Sequence, residues 1–88
     1  MSGRPLVAVY FHMLEFITYA AYRLEEAVKR PVRETEIYDV TYLKPRYYGI
    51  PLFSEEDEWR TYLEYAVKAG YLSRVDGGYY AVTDKGKE

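Results

Sequence analysis

Tyr62-Leu63-Glu64-Tyr65-Ala66-Val67-Lys68-Ala69-Gly70-Tyr71-Leu72-Ser73-Arg74-Val75-Asp76-Gly77-Gly78-Tyr79-Tyr80-Ala81-Val82-Thr83 is the stretch on which the reading of this 88-residue chain turns. Its first part continues a helical pattern: Trp59, Tyr62, Leu63, Ala66 and Val67 recur at the spacing that puts side chains on one face of a helix. Ser54 is the N-cap candidate, and Glu55, Glu56, Asp57 and Glu58 bring carboxylates to the positive end of the helix dipole. Asp57, three residues past that cap, makes a weak form of the capping box. Lys68 suits the last turn, and Gly70 is placed as a left-handed stop. Tyr71 to Val75 then reads as a strand, Asp76-Gly77-Gly78 as a tight turn with the positive φ angles a hairpin needs, and Tyr79 to Thr83 as the return strand. The residues from Lys85 to Glu88 are expected to fray.

Upstream, Lys44-Pro45-Arg46-Tyr47-Tyr48-Gly49-Ile50-Pro51 holds two prolines and a glycine and reads as a turn region. The segment before it, Arg33 to Leu43, has two local readings. A helix buries Ile37, Val40 and Leu43; a strand sets Tyr38, Val40 and Tyr42 on one face, and β-branched content favours the strand. Pro45 is expected to stop either element.

The first element is a long helix over residues 5–30, opened by Pro5 and closed before Pro31. Leu6, Tyr10, Met13, Ile17, Ala20, Leu24 and Ala27 form a seam at alternating spacings of four and three. Val7, Leu14, Ala21 and Val28 lie beside it, and Val9 and Phe16 widen it further. Only a narrow polar stripe (His12, Glu15, Tyr19, Tyr22, Arg23, Glu26, Arg30) is left. The helix therefore buries more than the single stripe of a surface helix. Either it runs through the centre of the fold or a second copy covers it. The expected arrangement is a homodimer with Leu6, Tyr10, Met13, Ile17 and Leu24 at the interface. His12 and Glu15 interrupt the apolar run Leu6 to Tyr22, so neither a membrane span nor a signal peptide is expected, and the chain reads as soluble and cytoplasmic.

The length suits one domain, and 49% hydrophobic residues suffice for one core. There are no cysteines and one histidine, which excludes disulfides and thiolate metal sites. Asn and Gln are absent too, and 30% of residues are charged, a composition from which a thermophile, archaeal source is expected. The formal net charge of −2 argues against a strong non-specific nucleic-acid binder.

The run from Tyr62 to Leu72, the glycine turn after Arg74-Val75, and the ending Thr83-Asp84-Lys85-Gly86 together resemble the close of a winged helix-turn-helix domain of the small archaeal DNA-binding type. Tyr48-Gly49-Ile50-Pro51 resembles the turn between that motif's two helices, although the run from Lys44 to Phe53 is longer than usual. The resemblance covers about 45 residues. It implies a mainly α fold with a small β-hairpin wing (α+β), one domain over 1–88, with the helix-turn-helix at 33–70 and the wing at 71–84. It also tips Arg33–Leu43 toward a helix.

The resemblance further implies a non-enzymatic transcriptional regulator that binds double-stranded DNA through the helix before the wing. Carried over, Asp57, Arg60, Thr61, Glu64 and Lys68 form the exposed face, Arg74, Lys85 and Lys87 belong to the wing, and Lys44, Arg46 and Tyr47 assist. Charge works against this: residues 51–70 hold Arg60 and Lys68 against five carboxylates, a net of −3. Acids oppose entry into a phosphate-lined groove. The alternative is a winged helix that contacts protein and does not bind DNA.

Other candidates have plainer readings. Lys44, Arg46, Tyr47 and Tyr48 mix cations with rings as a nucleic-acid contact does, or form a solvated tyrosine-rich turn. Glu55 to Glu58 do not share a helix face and suit a helix N-terminus better than a cation. His12 and Glu15 lack any nucleophile nearby in sequence, and Trp59 reads as a core anchor. No metal, cofactor or catalytic residue is expected.

Overall fold

The structure is a computed structural model that describes residues 3–87, with side chains from His12 onward. Helix α1 spans Gly3–Val28. It ends two residues before the expected stop, because Lys29 turns left-handed (φ 62°) while its N–H still reaches the Glu25 carbonyl at 2.8 Å. Pro31 then follows as the break, and Val32–Arg33 form strand β1.

The ambiguous segment is helical. Glu34–Tyr38 form α2, Asp39–Leu43 make one widened π turn, and Lys44–Tyr47 form α3. The Arg33 N–H donates to Glu36 Oε1 at 2.8 Å and fixes the entry. Pro45 does not stop the element, contrary to expectation. A proline inside a helix lacks its N–H and clashes with the carbonyl four residues back. Here the wide turn precedes it, and the Lys44 N–H reaches back five residues to Asp39, so Pro45 falls in the first turn of α3. The helix ends at Gly49 (φ 82°), where the Gly49 N–H bonds the Arg46 carbonyl at 3.0 Å and the Ile50 N–H that of Pro45 at 2.8 Å.

Helix α4 spans Glu56–Lys68. Ser54, expected as its N-cap, is displaced by one residue: Glu55 takes the cap position without a side-chain bond. Glu58 rather than Asp57 closes the turn, accepting from the Ser54 N–H at 2.6 Å and the Ser54 hydroxyl at 2.8 Å. The far end follows expectation, with Gly70 at φ 88° and paired bonds from Gly70 to Val67 and from Tyr71 to Ala66, both 3.0 Å.

Strands β2 (Leu72–Val75) and β3 (Tyr79–Val82) pair antiparallel in the register Leu72↔Val82 and Val75↔Tyr79, joined through Gly77 and Gly78, both at positive φ. β1 adds to the other edge of β3 (Val32↔Tyr80), which gives a three-stranded antiparallel sheet of order β1-β3-β2. The fold is thus mainly helical with a small sheet, an α+β arrangement. Among the described residues no helix is long and apolar enough to cross a membrane.

The core gathers Leu14, Ile17 and Ala21 of α1, Ile37 of α2, Trp59, Leu63 and Ala66 of α4, and Tyr80 and Val82 of β3. Ile17, expected at a dimer interface, is fully buried inside the protomer, and Met13 and Leu24 pack half-buried on the same core. Between Met13 and Leu24 the apolar face of α1 packs on its own chain, while Ala27 and Val28 at its end are exposed. The other two residues of that expected interface, Leu6 and Tyr10, lie outside the described side chains.

Candidate interaction surface

One buried polar relay sets the position of α4. Thr41 projects from the wide turn and is 0% exposed; its hydroxyl donates to the Ile37 carbonyl at 2.6 Å and accepts from Trp59 Nε1 at 2.7 Å. Both groups are satisfied, so the indole adds its apolar area without leaving an unpaired N–H. Tyr38 packs edge-on to Trp59 with centroids 4.9 Å apart and stacks on Tyr42 at 5.0 Å.

On the surface above this relay, α4 is tied to its neighbours by charge. Arg60 lies between Glu34 Oε2 at 2.6 Å and Glu56 Oε2 at 2.9 Å. Glu34 also accepts from the Tyr80 hydroxyl at 3.1 Å, and Glu56 from that of Tyr38 at 3.2 Å. Bonds first to Glu56 and then to Glu34 push the Arg60 guanidinium further up, while burial and then Glu34 raise the Tyr80 phenol. Arg74 pairs with Glu64, which raises its guanidinium in the same way.

The expected DNA-contact residues therefore lie apart and mostly engaged. Thr61 donates to the Asp57 carbonyl at 2.9 Å. Lys44 sits 3.8 Å from Asp39. Arg46 reaches the Phe53 and Ser54 carbonyls and lies over the Tyr42 ring. Lys68 is exposed and has no partner among the described residues. Arg46 stands at the start of α4 and Lys85 at its end, where Lys85 Nζ donates to the Ala69 carbonyl at 2.8 Å. A helix of this length separates them by about 20 Å.

From Lys85 to Lys87 the tail is docked, not frayed, and Glu88 lies outside the described residues. The Thr83 hydroxyl donates to the Gly70 carbonyl and accepts from the Gly86 N–H at 3.0 Å, and the Lys87 N–H reaches the Thr83 carbonyl at 3.1 Å. Gly86 lies so close to the Tyr71 carbonyl that a Cβ there has no room. Thr83-Asp84-Lys85-Gly86 thus clamps the end of α4, and the lysine caps the helix carbonyls.

Two surface features stand out: the tyrosine-rich turn that the sequence marked extends its apolar surface to Ile50 and Leu52, and a groove that the sequence did not mark lies beside α1. The first is the turn after α3: Tyr47 is 83% exposed, Tyr48 72% and Ile50 67%, with Leu52 beside them. Glu55 and Asp57 follow, exposed and without side-chain partners among the described residues. The alternation of large apolar residues from Tyr47 to Leu52 was the available signal. The second is a groove of about 500 Å³ between α1 and the docked tail. Thr18 lines it, 5% exposed, with its hydroxyl unpartnered among the described residues. No sequence pattern marked it. His12 Nδ1 lies 3.7 Å from Glu15 on exposed helix, and no acid or histidine cluster able to hold a metal exists among the described residues.

Set against protein-family models, curated proteins and solved structures, the chain matches none of them.

Proposed function

We propose that the chain is a winged-helix domain that acts without catalysis, by docking a partner protein. The element order supports the fold half: α1, β1, a helical segment, a turn, α4, then β2 and β3 with β3 in the middle of the sheet. The exposed apolar turn from Tyr47 to Leu52, next to the unpaired carboxylates of Glu55 and Asp57, carries the docking half. Its complement is a segment with apolar side chains beside lysine or arginine. Large apolar side chains exposed together mark contact sites more often than scattered ones do.

Duplex DNA is the second reading. It is favoured by Lys44, Arg46 and Tyr47 standing within one turn of α3, and by the exposure of the Arg60 and Arg74 ion pairs. Exposed pairs of this kind hold by about 0–1 kcal/mol, so phosphate can compete for the guanidinium.

Two measurements separate the readings. Fluorescence anisotropy on a random duplex at low salt is expected to show no saturable binding. Peptide display against the immobilised domain is expected to enrich sequences that pair apolar with basic residues, and the Tyr48→Ala/Ile50→Ala double variant to lose that enrichment. Duplex binding with a steep salt dependence overturns the docking reading in favour of DNA.

A further inference from the structure

We infer that the groove between α1 and the C-terminal turn is a binding site for a small planar aromatic acid. One wall is α1, with Tyr19 and Tyr22; the other is Tyr71 and the tail residues Lys85 to Lys87. Both walls are built. α1 is anchored by Ile17 and Ala21 in the core, and the tail is held by the Thr83 bonds and by a glycine that alone fits against Tyr71. The groove's volume, about 500 Å³, falls in the range of small-molecule sites.

Its chemistry selects the ligand class. Three tyrosines supply aromatic surface, which prefers offset or edge-on packing with a second ring. Lys87 lines the same groove and its ammonium has no partner among the described residues, whereas that of Lys85 is spent on the Ala69 carbonyl and sits 5.4 Å from the Tyr71 centroid. Lys87 is therefore the group available to a carboxylate. Glu15 at the same groove disfavours a ligand with charge spread over its whole surface and favours one with a single acidic end.

Thr18 supplies an independent reason. Its hydroxyl is buried without a partner among the described residues, yet the residue lines the groove. Valine fills the same volume without leaving a hydroxyl unmet. On a helix, threonine divides between two side-chain rotamers. Rotation about χ1 to the second of these rotamers re-aims the hydroxyl, which gives a bound ligand a partner to meet.

The test is an amide NMR titration of the full chain with 1-naphthoate. Cyclohexanecarboxylate serves as the acid without a ring and 2-naphthol as the ring without an acid. Saturable shifts with 1-naphthoate, confined to residues 15–22, Tyr71 and 85–87, are expected, and neither control should reproduce them. Lys87→Ala is expected to weaken binding about tenfold, as for loss of one charge-assisted bond, and Thr18→Val about threefold, while both keep the unbound spectrum elsewhere. Absence of saturation at 10 mM (about the weakest useful affinity for a fragment of this size), or equal response to 2-naphthol, overturns the proposal. So does unchanged affinity in both variants.

Discussion

Two buried threonines divide this molecule into unlike halves. Thr41, under α4, has both hydrogen-bonding roles of its hydroxyl filled, by Ile37 and Trp59. Thr18, on α1, is buried almost as deeply and has neither filled among the described residues. The first is a fastener: it ties the wide turn to the helix whose outer face carries Arg60 and Glu56. The second is a stability cost borne at the edge of a groove. Local rules tend to be broken at functional sites, so the contrast separates scaffold from candidate site without reference to any relative.

The largest expected effect comes from removing the fastener's anchor. Trp59→Ala deletes a fully buried indole and is expected to cost about 3–5 kcal/mol, much of the stability of a domain this small. Urea unfolding followed by far-UV circular dichroism measures it. A loss below about 1 kcal/mol means that the core centres elsewhere.

The two threonines offer a sharper comparison, because the same substitution is expected to act with opposite signs. Thr41→Val leaves the Trp59 N–H buried without an acceptor and is expected to destabilise by about 1–3 kcal/mol. Thr18→Val removes an unmet hydroxyl and is expected to be neutral or to stabilise by up to about 1 kcal/mol. Equal losses from both variants mean that Thr18 makes a bond like that of Thr41, and the division disappears.

Gly86→Ala breaks the groove side. A Cβ there meets the Tyr71 carbonyl and Val82 Cγ1, and relieving that crowding is expected to cost about 1–2 kcal/mol. The signature is local: faster hydrogen exchange at the Gly86 and Lys87 amides, which bond to Thr83, with α2 and α4 amides unaffected. Global loss of protection indicates that the tail belongs to the cooperative core.

What the sequence revealed follows from the range of the interactions involved. Gly70, the Asp76-Gly77-Gly78 turn and the apolar face from Trp59 to Val67 are local patterns, and the structure keeps each of them. Pro45 misled because its effect depends on the turn before it, where one widened turn moves the proline to a helix start. Lys85 misled because its partner, the Ala69 carbonyl, lies sixteen residues away. The cations of the expected DNA face were legible as residues, but their pairing was not: Arg60 meets Glu34 across twenty-six positions. Thr18 was invisible for the same reason, since only the docked tail makes a groove beside it.

Acid offers the mildest way to separate the halves. Glu36 stands at the entrance to α2 and accepts from the Arg30 guanidinium at 3.0 Å and the Arg33 N–H at 2.8 Å. The Arg30 bond first, then the Arg33 bond, hold its carboxyl below the usual value of 4.5. The unfolded chain therefore takes up this proton at higher pH than the folded one. The stabilisation is complete above the ordinary carboxylate value and is lost as pH falls through the lower folded value. Both partners are partly exposed and screened by salt, so the effect is expected to be the smallest of the set. It is also local, since α2 carries Ile37, the first link of the relay, whereas the tail clamp uses threonine and backbone groups that do not titrate there. Exchange protection in Glu34–Tyr38 should fall on acidification before that of Gly86 and Lys87, and Glu36→Gln should flatten the α2 profile alone. Parallel loss in both places implicates another carboxylate and removes acid as a means of telling the relay from the groove.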